Sequence, residues 1–139
     1  MTHHTRRRIG TIILAPAAAL AAWGLTQLLG IGLDVTAGDG TVGPGDVFVS
    51  ALVGALGGWA VVRLVERHSR YPRSRWALTG STALAVSMVG PSWFADGASA
   101  VALMSLHVVT AVVVIIGFAT TLPVRRGVVS RAATAAVEH

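Results

Sequence analysis

Residues 98–121 read ASAVALMSLHVVTAVVVIIGFATT, and this stretch contains no Asp, Glu, Lys or Arg. At about 1.5 Å per residue, a helix of this length crosses a hydrocarbon core of about 30 Å. Long apolar stretches without charge are typical of transmembrane helices. The stretch therefore predicts a helix that spans a lipid bilayer.

Three more apolar stretches precede it, and together they predict four spans, at residues 9–33, 47–65, 76–94 and 98–121. The links read DVTAGDGTVGPGD at 34–46, ERHSRYPRSR at 66–75 and ADG at 95–97. Gly, Asp and Pro favour turns, and links this short make neighbouring helices antiparallel. The predicted fold is all-α. It is a single antiparallel four-helix membrane domain over 9–121, between a basic N-terminus at 1–8 and a basic tail at 122–139.

The composition excludes an ordinary soluble domain. Of the 139 residues, 53% are hydrophobic and 12% are charged, against roughly 25% charged in a typical soluble domain. The mean hydropathy is +0.68. Because the chain contains no Cys, disulfide frameworks, thiolate metal sites and thiol-based redox enzymes are excluded as well.

The basic residues are confined to three places, and their placement predicts the orientation. All 11 are Arg, namely Arg6, Arg7, Arg8, Arg63, Arg67, Arg70, Arg73, Arg75, Arg125, Arg126 and Arg131. Four acidic residues fall in the other two links, namely Asp34, Asp39, Asp46 and Asp96. Because basic short segments stay on the cytoplasmic side, both termini are predicted to be cytoplasmic, in a multi-pass protein of a bacterial plasma membrane. Anionic lipid explains these arginines better than nucleic acid, so no nucleic-acid partner is expected.

Small residues at four-residue spacing predict where the helices pack. The second span carries Ser50, Gly54 and Gly58, and its last part is a GxxxG motif. Similar ridges occur in the first and third spans, at Ala18, Ala22, Thr26 and at Thr79, Ala83, Ser87. Such ridges let helix backbones approach closely in lipid. A dimerisation face is one interpretation, and we favour packing within the bundle because every span needs a close neighbour.

His107 is the ionisable residue nearest the middle of a span. It lies about 13 Å below the outer boundary, and Gln27, Thr26 and Ser87 lie about 10 Å deep, with Thr110 on the same face as His107. A histidine at this depth is a candidate for a proton-coupled or ligand-binding pocket open to the outer side. The alternative is a neutral imidazole that bonds Ser87, Gln27 or a backbone carbonyl and holds helices together. We favour this alternative because no carboxylate shares its depth.

Two further charged groupings have simple interpretations. Arg63 and Glu66 are spaced for an ion pair at the inner end of the second span. Asp34 and Asp46 bracket a Gly-rich link and are expected to cap helix ends. A cation site that they form with Asp39 is the less favoured alternative, because solvated turns are more common in such links. No thiol, second mid-span His, HExxH motif or serine nucleophile with an evident base is present. No catalytic residue, cofactor or metal site is therefore expected.

Several short motifs together carry a resemblance to a known family. They are GLDV at 32–35, Trp59 followed by Glu66-Arg67, Trp76, SMVGP at 87–91 and LMSLH at 103–107. In order and spacing they resemble an uncharacterised domain-of-unknown-function family of small actinobacterial four-helix membrane proteins. The resemblance extends from Arg8 to about Pro123. It implies the four-span architecture, directs attention to Asp34, Pro91 and His107, and implies no activity.

The expected function is that of a small non-enzymatic membrane protein acting as an interaction or accessory subunit. Its partners would be membrane lipid and another membrane protein or a second copy of the chain. The alternative is a carrier or binding protein for a small or lipophilic molecule, using a polar pocket around His107. A cavity that reaches His107 favours the alternative, and a dry bundle with an exposed Gly54/Gly58 ridge favours the first.

Overall fold

The computed structural model describes residues 3–35 and 40–123 of the chain. Its elements in chain order are α1 His3–Leu28, β1 Asp34–Val35, β2 Gly40–Thr41, α2 Pro44–His68, α3 Pro72–Ser87, α4 Val89–Phe94 and α5 Gly97–Ala119. The two short strands pair antiparallel, with Asp34 opposite Thr41. The predicted all-α four-helix fold is confirmed, with α3 and α4 together forming the third helical unit. Residues 124–139 of the predicted basic tail lie outside the described part.

Three helices are long and apolar enough to cross a membrane. They are α1 from Thr5, α2 and α5, with hydropathies of 1.7, 1.8 and 2.5. Large apolar side chains cover their outer surfaces, among them Leu14, Leu28, Val53 and Ile116. A soluble monomer does not expose apolar surface on this scale. Helix length and surface together suggest a membrane protein.

The third predicted span, 76–94, is not one continuous helix. It is divided at Met88, where α3 ends and the short α4 begins. Pro91 explains the division: proline has no N–H to bond the carbonyl of Ser87 four residues earlier, and its ring crowds that carbonyl. The undivided part, α3, has 16 residues, which corresponds to about 24 Å of helix.

The first helix also ends before the predicted boundary, at Leu28 rather than Leu33. Gly30 adopts a left-handed conformation with φ of +69°. Its N–H donates to the carbonyl of Gln27 and the N–H of Ile31 donates to that of Thr26, each at 3.0 Å. This is a Schellman ending, for which glycine is suited because it has no Cβ. The apolar residues beyond it belong to the link.

α5 is the central helix, and each of the other four helices contacts it. Its closest approach is to α1, where a Cβ on Gly117 would lie 2.5 Å from Cγ2 of Thr11. Trp76 joins α3 to α5, because its Nε1 donates to the carbonyl of Ile115 at 2.9 Å and its ring meets Phe118 edge-on. Trp76 is thus a buried packing residue, although its position near the end of a span is typical of an interface aromatic.

The two ends of the bundle differ in charge. At one end, Arg8 of α1 pairs with Glu66 of α2 and donates to Thr121 after α5. All the arginines of the described residues lie at this end or in the adjoining link between α2 and α3. At the other end, Ser99 donates to the carbonyl of Gly32 at 2.9 Å. Asp46 and Asp96 lie there, in the first turn of α2 and just before α5. We refer to these as the basic end and the acidic end.

Candidate functional site

An open cleft separates α2 from α3, and α5 forms its floor. Its volume is about 500 Å³. We call it the lateral cleft. The residues that line it are Ala19, Val42, Asp46, Val47, Ser50, Ala51, Gly54, Gly57, Gly58, Val61, Trp76, Thr79, Gly80, Ala83, Leu84, Ser87, Leu103, Leu106, His107, Thr110, Ala111, Val114 and Ile115. Most of them are apolar or small, so the cleft offers a largely hydrophobic surface with a few polar groups.

Small residues on the facing sides of α2 and α3 create this space. Ser50 and Gly54 of the predicted α2 ridge are exposed in the cleft, and a Cβ added to Gly54 would meet no atom within 4 Å. Gly58 makes the one close contact of this ridge, since its Cβ would lie 2.9 Å from Cγ1 of Val114. The α3 residues Thr79 and Ala83 line the opposite wall. The GxxxG motif therefore borders the cleft over most of its length, and packs closely only at Gly58.

His107 lies on the floor of the cleft. Its Nδ1 is 2.9 Å from the carbonyl oxygen of Leu103, one turn earlier in α5. Because a carbonyl oxygen only accepts, Nδ1 carries the proton and donates this bond. In the neutral imidazole, Nε2 then keeps a lone pair. This bond stays within α5, so it satisfies one ring nitrogen without joining two helices. The other nitrogen is available as an acceptor.

The hydroxyl groups that share the cleft with His107 also donate their protons to backbone carbonyls. Ser87 donates to the carbonyl of Leu84 at 2.8 Å, and Thr110 donates to that of Leu106 at the same distance. Each hydroxyl oxygen keeps lone pairs that accept further hydrogen bonds. Of the predicted polar residues, His107, Ser87 and Thr110 thus share one cleft, and all three present acceptors to it.

Thr26 and Gln27 do not line this cleft. Thr26 is buried and donates to the carbonyl of Trp23 at 2.7 Å, and Gln27 is exposed near the end of α1. Depth along a helix is readable from sequence, but the side of the bundle on which a helix packs is not. The structure places His107 and Gln27 at different positions around the bundle.

Sequence reasoning missed two features of the cleft. Gly57 lines it beside the predicted ridge, and Asp46 lies at its acidic end. The carboxylate of Asp46 accepts the N–H of Gly43 at 3.0 Å, which caps the start of α2 as predicted, but its place in the cleft was not predicted. The sequence contains an indication of Gly57. Gly57 and Gly58 are consecutive, and consecutive helix residues lie on different faces, so Gly57 widens the small surface beside the ridge. Asp39 and the side chain of Asp34 lie outside the described part of the chain. The alternative of a cation site formed by these residues with Asp46 therefore stays a prediction.

A second cavity of about 700 Å³ lies at the basic end, between α1 and α2. Arg8 bonds both carboxylate oxygens of Glu66, and the Nη1 to Oε2 distance is 3.1 Å. Its Nε donates to Oγ1 of Thr121 at 3.2 Å. The prediction of an Arg63–Glu66 ion pair is wrong, because Glu66 pairs with Arg8 instead. Glu66 turns towards α1, and the guanidinium carbon of Arg63 lies 5.5 Å from the ring centre of Trp59, one turn earlier in α2.

Comparison with known protein families gives one match. A model described as a family of unknown function, DUF6069, matches residues 1–124. The chain belongs to the DUF6069 family. The resemblance to an uncharacterised family is thereby confirmed, and its actinobacterial origin stays a prediction. No curated protein and no solved structure matches this DUF6069 protein.

Proposed function

We propose that this DUF6069 protein binds one lipophilic molecule with a hydroxyl or amine head group in the lateral cleft. The observation that carries the proposal is the position of His107, on the floor of a cavity of about 500 Å³ that opens between two helices. Ligand pockets typically measure about 300 to 1,000 Å³ and combine apolar walls with a few placed polar groups. In a membrane protein such an opening faces the lipid, from which a lipophilic molecule enters directly.

The shape of the cleft suits a chain-like small molecule. From Asp46 to Val61 the cleft extends for about 22 Å along α2. Its volume of about 500 Å³ is that of a small-ligand pocket. An accessory subunit that inserts a helix between α2 and α3 is the second candidate, favoured only by the exposed Gly54.

The polar groups of the cleft favour a head group that donates hydrogen bonds. The protons of His107 Nδ1, Ser87 and Thr110 are directed to backbone carbonyls of their own helices. Lone pairs remain, and an apolar site that offers acceptors binds a donor more tightly than an analogue without one. The Asp46 carboxylate at the acidic end disfavours an anionic head group. Alcohols and amines fit these conditions, whereas carboxylates and phosphates do not.

Replacement of His107 by phenylalanine is expected to reduce the preference for a donor. The probe is a photoactivatable long-chain alcohol, compared with its methyl ether, which has the same chain and no O–H. We expect the wild type to be labelled by the alcohol about tenfold more strongly, equivalent to ~1.4 kcal/mol. We expect H107F to lose most of this preference, because the imidazole acceptor is gone and only the hydroxyl oxygens of Ser87 and Thr110 remain. Mass spectrometry of the labelled peptides provides the measurement.

His68 supplies a matched control for this experiment. It makes the same local bond, from Nδ1 to the carbonyl of Leu64 at 3.1 Å, and lies at the end of α2 away from the lateral cleft. H68F should keep the tenfold preference. Equal labelling of the wild type by alcohol and ether would contradict the proposed head-group chemistry. Cross-linking of the cleft to another polypeptide in place of the probe would favour the accessory-subunit role.

We also infer that the basic end faces the cytoplasm of a bacterial plasma membrane. This rests on the placement of the described arginines at one end of the bundle, together with the rule that basic segments are retained inside. A fluorescent protein fused to either terminus is expected to fluoresce, and alkaline phosphatase fused there is expected to be inactive. The same pair inserted in the link at 34–46 should give the reverse. An active phosphatase at a terminus would reject this orientation.

A further inference from the structure

We propose a second site, distinct from the lateral cleft: the groove between α1 and α2 at the basic end binds the phosphate of an anionic phospholipid through Arg63. The groove measures about 700 Å³. It includes two arginines, Arg8 and Arg63, and one acidic residue, Glu66. This site goes beyond the proposed function and does not depend on it, since the two cavities share no lining residue.

The charge of the groove comes from Arg63. Arg8 uses its Nη1 and Nη2 on Glu66 and its Nε on Thr121, so this ion pair is closed and neutral overall. Arg63 forms no ion pair within residues 3–35 and 40–123, and its side chain is exposed. One unneutralised positive charge therefore remains in the groove, which makes the groove complementary to a lipid with one negative charge.

The geometry of Arg63 suits a phosphate. Its guanidinium lies over the ring of Trp59, with 5.5 Å between the guanidinium carbon and the ring centre. Stacking of this kind holds the planar group while its N–H donors, which lie in the plane, stay available. A guanidinium presents these donors as a fork that matches two phosphate oxygens. Trp59 thus positions Arg63 for an anionic head group.

The rest of the groove suits the hydrocarbon chain of the same lipid. Deeper along α1 and α2 the lining residues are apolar, namely Ile9, Ile12 and Leu56. Ile9 and Leu56 are exposed by 39% and 44%. Leu56 lies about 10 Å from Arg63 along the helix axis. A molecule with an anionic phosphate at one end and an acyl chain directed into the bilayer matches this order, and a free phosphate leaves the apolar part unused.

Lipid retention by the purified full chain tests the proposal. The protein is prepared in detergent micelles doped with phosphatidylglycerol or with zwitterionic phosphatidylcholine, and bound lipids are counted by native mass spectrometry. We expect preferential retention of phosphatidylglycerol by the wild type. R63Q should reduce that retention about fivefold, in line with one basic residue at a membrane surface. R67Q, an exposed arginine one turn later that does not line the groove, should change it less than twofold.

The other variants and a competition with inorganic phosphate distinguish a specific lipid site from diffuse attraction and from binding of free phosphate. R63K keeps the charge without the planar fork. It should retain an amount of phosphatidylglycerol between those of the wild type and R63Q. R63K also serves as the test if R63Q does not fold. Equal losses in R63Q and R67Q would show diffuse surface attraction and overturn the site. Equal retention of the two lipids, or displacement of phosphatidylglycerol by millimolar inorganic phosphate, would overturn it as well. Labelling of the lateral cleft by the alcohol probe should be the same in R63Q as in the wild type.

Discussion

Replacement of Gly117 by valine is expected to lower the free energy of unfolding by about 3 kcal/mol, the upper part of the range for overpacking a tight contact. A Cβ at this position would lie 2.5 Å from Cγ2 and 2.6 Å from Oγ1 of Thr11. Rotation of the threonine side chain relieves one clash and leaves the other, because both heavy atoms on its Cβ are involved. The helices α1 and α5 must therefore separate.

Thermal unfolding in detergent, followed by circular dichroism, measures this effect. G24V is the matched control, since it makes the same change inside α1 where a Cβ meets no atom within 4 Å. The two variants share the same change in intrinsic helix propensity from glycine to valine, so their difference reports the contact. Equal melting temperatures would contradict the close approach of α1 and α5.

A second substitution identifies the clash itself. T11A removes Cγ2 and Oγ1, leaving Cβ at 3.1 Å from the added atom. It also removes a hydrogen bond from the Thr11 hydroxyl to the carbonyl of Arg7. G117A in the T11A background is expected to cost less than G117A alone, since residues in contact show coupling of about 0.5 to 3 kcal/mol. If the effects of T11A and G117A on stability were additive, the cost of G117A would not come from the contact with Thr11.

Gly117 also shows what the sequence can and cannot predict. Uncharged stretches predict the four helical units, because lipid tolerates few charges, and arginine placement groups their ends, but the break at Met88 divides the third unit into two helices. Gly117 belongs to no ridge of three small residues, since Val113 lies four residues before it and Arg125 lies four residues after Thr121. Its complement, Thr11, is on another helix. Only the rotation of α5 against α1 brings them together, and that rotation depends on the whole bundle.

The same limit explains the ion pair and the cleft. Sequence spacing places Arg63 within reach of Glu66, but Glu66 bonds Arg8, which is 58 residues away in the chain. The spacing of Gly54 and Gly58 correctly predicts that small residues share one face of α2. It does not predict that most of this face borders a cavity. His107 could be chosen from its depth and Thr110 from its position three residues later on the same helix, whereas Ser87 shares their cleft because α3 packs against α5.

Substitution of Gly54 by phenylalanine is expected to abolish labelling of the lateral cleft by both the long-chain alcohol and its methyl ether, by at least about tenfold. The position lines the cleft and has no atom within 4 Å of an added Cβ, so the aromatic ring occupies space that the ligand needs. This differs from H107F, which should reduce the difference between the two probes without excluding either. Phenylalanine also has a higher helix propensity than glycine by a few tenths of a kcal/mol.

Binding and stability should therefore change in opposite directions in G54F, and this combination separates blockage from misfolding. The melting temperature should stay equal to that of the wild type or rise, while labelling is lost. V53F supplies the control: it adds the same ring one residue earlier on α2, where the side chain is 63% exposed and does not line the cleft. V53F should label as the wild type does. If G54F retains full labelling with both probes, the molecule binds elsewhere on the protein. If G54F instead loses a co-purifying polypeptide and V53F keeps it, the small face of α2 binds a partner helix, and the accessory-subunit role replaces the proposed one.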